Sequence, residues 1–85
     1  MNIYELIAYN IKFYIKKLEN NLQFKKEHSN ESYVEYISKL SGIKVRRLNN
    51  ILSTKGYIRI DELGRIADAL GIPIEKLVDD TLQDI

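Results

Sequence analysis

Cysteine and tryptophan are absent from the 85-residue chain, histidine and proline occur once each, and glycine only four times. Without cysteine there is neither a disulfide framework nor a thiolate zinc site, and His28 alone cannot complete a metal site or a Ser-His-Asp relay. No glycine-rich loop is spaced to cradle a phosphate, and Asp79, Asp80 and Asp84 lack the glycine and ligand count of a calcium loop. Neither an enzyme nor a bound cofactor or metal is expected. Long apolar runs are missing too. The most hydrophobic stretch, near the N-terminus, is broken by Lys12, Lys16 and Lys17, well short of the ~20 apolar residues of a membrane span, and no signal-peptide pattern precedes it. At 45% hydrophobic residues the chain can bury one core, so the expectation is a single cytoplasmic domain with no membrane partner.

A surplus of one sign of charge is also lacking, since the formal net charge is +1. That near-neutrality is the sum of unlike parts. Residues 1–30 carry +2, residues 31–59 carry +4 and residues 60–85 carry −5, and all four arginines (Arg46, Arg47, Arg59, Arg65) fall between 46 and 65. Arginine's planar fork suits guanine edges and phosphates better than lysine's point charge. The middle of the chain is therefore where an anionic partner would bind, with the acidic C-terminal third facing away from it.

Apolar positions Ile3, Leu6, Ile7, Ile11, Tyr14, Ile15 and Leu18, with Leu22 beyond, repeat at the spacing of one helix face and predict a long first helix. Residues 23–31 have no period and read as a loop. Ser32 followed by Glu35 is a capping-box signature ahead of Val34, Ile37 and Leu40, so a second helix starts there. Gly42 suits the positive φ of a sharp turn. A third helix spans about Val45 to Leu52, with Leu48 and Ile51 on one face and Arg46, Arg47, Asn49 and Asn50 on the other. A connector leads into a fourth helix with the stripe Ile60, Leu63, Ile66, Ala67 and Leu70, ended by Gly71. Pro73 opens a short fifth helix containing Ile74, Leu77 and Val78. No strand signal, internal repeat or low-complexity segment is present. The fold class expected is all-α, with a domain over 1–78 and a short acidic tail over 79–85.

Two short helices about a tight glycine turn (33–52) make a helix-turn-helix pattern, whose second helix enters the DNA major groove. Ser38, four residues before Gly42, is small where the helices cross. Ile43, Leu48 and Ile51 are apolar where the second helix meets the core.

On three segments the chain resembles the Cro and phage-repressor type (XRE family) of helix-turn-helix domain. They are IAYNIKFYIK (7–16), ISKLSGIKVRRLNNIL (37–52) and, most specifically, IDELGRIADALGIPIEKL (60–77). The chain departs from that pattern in about nine intervening residues before the second helix, in Ser38 where alanine is common, and in Gly64 at a usually apolar position. The resemblance implies a five-helix lambda-repressor-like bundle with an extended first helix, binding double-stranded operator DNA as a homodimer on a palindrome. By position it implies that Lys44 caps the recognition helix (about 44–52), that Val45, Arg46 and Asn50 face base edges, and that Arg47 and Asn49 flank them.

The chemistry of those residues agrees with the roles. Arg46 can bridge O6 and N7 of guanine, Asn50 can pair with adenine, and Val45 offers an apolar surface to a thymine methyl. Ser53, Thr54, Lys55, Tyr57 and Arg59 are placed to touch phosphates, with Tyr33 and Lys39 as further candidates. The blander reading is that the arginines are a solvated helix face and that Tyr33 and Tyr36 pack between helices. Dimer contacts are expected at Ile74, Leu77, Val78, Leu82 and Ile85, with the first helix as the other candidate surface. The expected function is a DNA-binding transcriptional regulator, a repressor, encoded by an AT-rich bacterial, phage or mobile-element genome. The alternative is a helix-turn-helix protein-interaction module such as an antitoxin, anti-repressor or inhibitor, whose protein partner would use the 23–31 segment or the acidic end.

Overall fold

In a computed structural model, residues 2–21, 25–26, 32–54 and 57–79 are described. All regular structure among them is helical, and its main elements are α1 (Ile3–Glu19), α2 (Tyr33–Ser41), α3 (Val45–Leu52), α4 (Ile60–Leu70) and a 3-10 turn, Ile74–Leu77. No strand occurs among the described residues. No described helix is long and apolar enough to cross a membrane.

Local chemistry sets most of the boundaries. Asn2 accepts the Glu5 amide at 2.9 Å and starts α1, while Lys16 and Lys17 lie in its last turn, where the helix dipole favours cations. Ser32 accepts the Glu35 amide at 3.1 Å and starts α2 where the capping signature placed it. Gly42 ends α2 at φ 73°, and its amide returns to the Ser38 carbonyl at 2.9 Å. Gly71 closes α4 in the same left-handed region.

Three expectations need correction. The fifth helix is one turn of 3-10 helix, with Pro73 just ahead of it as the N-cap. The fully buried Asn10 of α1 supplies a reason, because its Nδ2 donates to the carbonyls of Leu77 (2.9 Å) and Asp79 (2.8 Å). Those bonds fix the end of the turn against α1 and compete with further winding. Within the 23–31 segment, Lys25 and Lys26 are helical, the Lys25 amide donating to the Asn21 carbonyl at 3.1 Å. The rest of that segment, His28 included, lies outside the described residues. Finally, Ile3, Leu40 and Ile60 fit the apolar stripes of the sequence but are exposed, Ile60 by 84%.

The core joins Ile7 and Ile11 of α1, Ile37 of α2, Ile43 of the turn, Leu48 and Ile51 of α3, Leu63, Ile66 and Ala67 of α4, and Leu77. The closest packing is α2 on α4; α3 rests on α1 and α2 and approaches α4 little. The burial of α3's apolar side against two helices turns its polar side outward.

Candidate nucleic-acid interface

Between α2 and α3 run only Gly42, Ile43 and Lys44. Beyond the glycine, two serines hold this turn. The Ser38 hydroxyl donates to the Ile43 carbonyl, and Ser41 Oγ accepts the Ile43 amide at 3.2 Å. With both polar groups of its backbone bonded, Ile43 can bury its side chain. Ser38 therefore does more than keep the crossing narrow, since alanine could not make that bond.

Along α3 the sidedness is sharp. Leu48 and Ile51 are buried, whereas Lys44, Val45, Arg46, Asn49 and Asn50 are exposed. Lys44 occupies the N-cap in extended backbone, with no cap bond from its side chain. A donor fork, two carboxamides, an ammonium and a branched apolar surface thus lie together on one exposed helix face.

Arg47, expected to flank the base-reading residues, is engaged elsewhere. Its Nε and Nη2 donate to Glu62 Oε2 and Oε1, both at 2.8 Å, and Nη2 also donates to the Tyr57 carbonyl. Glu62 is only 8% exposed, and its Oε1 accepts the Arg59 amide at 3.0 Å as well. The Arg47 hydrogen bond, opposed by burial and assisted by the Arg59 amide, holds the Glu62 carboxyl at about 2, below the usual 4.5. Arg47 is raised above its ordinary value by the same bond. A guanidinium held this way would have to leave a buried carboxylate unpaired to reach a base.

The positions assigned to phosphates are differently disposed. Ser53 and Thr54 follow α3, both exposed, with hydroxyls donating to the Asn50 carbonyl (3.2 Å) and the Ser53 carbonyl (2.6 Å). Thr54 adopts φ 59°, a left-handed conformation costly for a β-branched residue. Tyr57 is 75% exposed, and its ring lies 4.7 Å from that of Tyr4 in α1. Arg59 forks onto Asp61 at 3.0 and 3.3 Å in an exposed pair that costs little to break. Tyr33 is half-buried and Lys39 exposed on α2. Lys55 lies outside the described residues.

Of the residues assigned to a dimer surface, Leu77 is corrected. It is 0% exposed and belongs to the core, because the 3-10 turn folds it under α1 and α4. Ile74 is half-buried, Val78 is exposed, and Leu82 and Ile85 lie outside the described residues.

Sequence reasoning missed Glu62, Asn10 and Tyr4. A signal existed for Asn10, a polar residue on the apolar stripe between Ile7 and Tyr14. No local pattern points from Glu62 to an arginine fifteen residues earlier. Elsewhere, an open groove of about 290 Å³ runs along α1 beside Tyr9, Lys12, Phe13 and Lys16. No group of three or more potential metal ligands occurs among the described residues. No family model, curated protein or solved structure matches the chain.

Proposed function

We propose that the chain is a sequence-specific, double-stranded DNA-binding regulator acting as a repressor. In this reading α2, the Gly42 turn and α3 form a helix-turn-helix of the Cro and phage-repressor type within a lambda-repressor-like bundle, and α3 enters the major groove. The observation that carries the proposal is the sidedness of α3: Leu48 and Ile51 anchor it while Lys44, Val45, Arg46, Asn49 and Asn50 stand exposed. Arg46 would take guanine, Asn50 adenine and Val45 a thymine methyl, with Lys44 and Asn49 beside them. Ser53, Thr54, Tyr57 and Arg59, flanked by Lys39 and Tyr33, would fix register on phosphates. Two copies reading a palindrome would set their recognition helices about 34 Å apart, with Ile74 and Val78 as the described apolar positions available for pairing.

Selection of binding sites from random duplex DNA tests this directly. A recovered palindrome is the expected result. Arg46→Ala should then cost ~1–3 kcal/mol on the selected site and relax one base position. Equal loss on selected and random DNA would refute base reading by Arg46, and absence of binding to any duplex at low salt would refute the function. The latter result would favour the second reading, a protein-interaction module. That reading draws on Tyr57 and Ile60, two large side chains three residues apart that are 75% and 84% exposed.

A further inference from the structure

We infer that Arg47 and Glu62 are positioning residues for DNA binding, a strut that sets the Tyr57–Arg59 connector against the recognition helix; the inference rests on the DNA reading above. Two ends of one short segment are tied to the two sides of a single ion pair. The Tyr57 carbonyl accepts from Arg47 Nη2, and the Arg59 amide donates to Glu62 Oε1. The pair itself is a two-pronged fork, Nε to Oε2 and Nη2 to Oε1, so it fixes direction as well as distance. α3 itself packs on α1 and α2 and approaches α4 little, so the pair reaches across from the recognition helix to the start of α4.

The tied segment carries Tyr57 and Arg59, two of the side chains assigned to phosphates, while Arg46 and Asn50 stand on the helix at the strut's other end. A duplex must meet both sets at once. Backbone contacts set register for base contacts, so the distance between connector and α3 determines whether the two sets can be satisfied together. Lysine in place of Arg47 would keep the charge but lose the fork. The acid partner makes the idea separable from direct contact. If Arg47 bound DNA itself, removing the Glu62 charge would free the arginine, take away a repulsive carboxylate and tighten binding. If the pair is a strut, the same change loosens the connector and weakens binding.

The experiment compares the full chain with Arg47→Lys, Glu62→Gln and the double variant, by fluorescence anisotropy on the selected duplex and on random duplex. Measurement at a temperature where circular dichroism shows every protein folded removes global stability from the comparison. Each single variant should bind the selected duplex about tenfold more weakly, the equivalent of one lost base contact, and the double variant no more weakly than the worse single. Glu62→Gln binding as tightly as the parent, or tighter, would overturn the strut, as would a double variant whose loss is the product of the two single losses. Failure of the parent chain to bind either duplex at low salt would remove the DNA reading, and the strut's role with it. Should Arg47→Lys not fold, the direction of the Glu62→Gln effect decides alone.

Discussion

Acid should withdraw the stability that the Arg47–Glu62 pair gives the fold, and Glu62→Gln should copy that effect at neutral pH. The carboxyl titrates at about 2 in the folded chain against 4.5 ordinarily. At 1.36 kcal/mol per unit this corresponds to about 3 kcal/mol of stabilisation. The Arg47 side chain is 32% exposed, so solvent screening reduces the expected contribution to about 1–2 kcal/mol. The folded value is the depressed one, so the stabilisation is complete above 4.5 and disappears as pH falls from 4.5 toward about 2. Thermal unfolding of both proteins between pH 7 and 2.5 measures it. Other carboxylates titrate alike in the two chains, leaving the difference between their curves to Glu62. That difference should be about 5–10 °C near neutrality, for a domain of this size, and should narrow progressively as pH falls from 4.5 to about 2.5. A gap that stays constant with pH would show that Glu62 is not held as a buried, paired carboxylate.

Substitutions at two further positions probe the packing that supports the site. Gly64 lies inside α4, and a Cβ built there meets nothing within 4 Å, so Gly64→Ala should raise stability by ~1 kcal/mol with an unchanged denaturant slope; a loss would mean that the glycine serves a close approach after all. Asn10→Asp would set a carboxylate oxygen against the Leu77 and Asp79 carbonyls in place of the amide donor. At pH 7 urea unfolding should register a loss of about 3 kcal/mol or more, and of only ~1–2 kcal/mol for Asn10→Ala. Equal effects of the two would rule out Asn10 as a donor to those carbonyls.

Elements governed by near neighbours were legible in the sequence, and those governed by distant ones were not. Ser32 with Glu35, Gly42 and Gly71 act within a few residues of themselves, and the helices they bound begin and end where expected. Leu48 and Ile51 fall on the buried side of α3 because a three-residue spacing repeats on one helix face. The fifth helix stopped at a 3-10 turn through bonds from Asn10, more than sixty residues away in sequence. Leu40 and Ile60 fitted a period yet lie exposed, since periodicity gives a face but not how far the neighbouring helix extends along it. Arg47 looked like its neighbour Arg46 in every local respect. One helical position, 100° around the axis, brings it within reach of Glu62 while Arg46 stands exposed.

This difference between adjacent arginines changes what the charge distribution means. By sequence, the +4 middle and the −5 C-terminal segments looked like two poles, one toward DNA and one away. In the fold, the first two acids of the C-terminal segment, Asp61 and Glu62, lie against Arg59 and Arg47. The basic segment is thus partly neutralised where it adjoins the connector. Arg46 and Lys44 are left as exposed cations on the α3 face, beside Asn49, Asn50 and Val45. Non-specific affinity for duplex DNA grows with the number of phosphates neutralised, whereas discrimination grows with directed contacts to base edges. On the proposed DNA reading, a surface that commits Arg47 to Glu62 gives up one cation's background affinity, and selectivity would come from the geometry of the groups that remain exposed. On that reading the placement of α3 relative to the connector would matter more than the net charge of the chain.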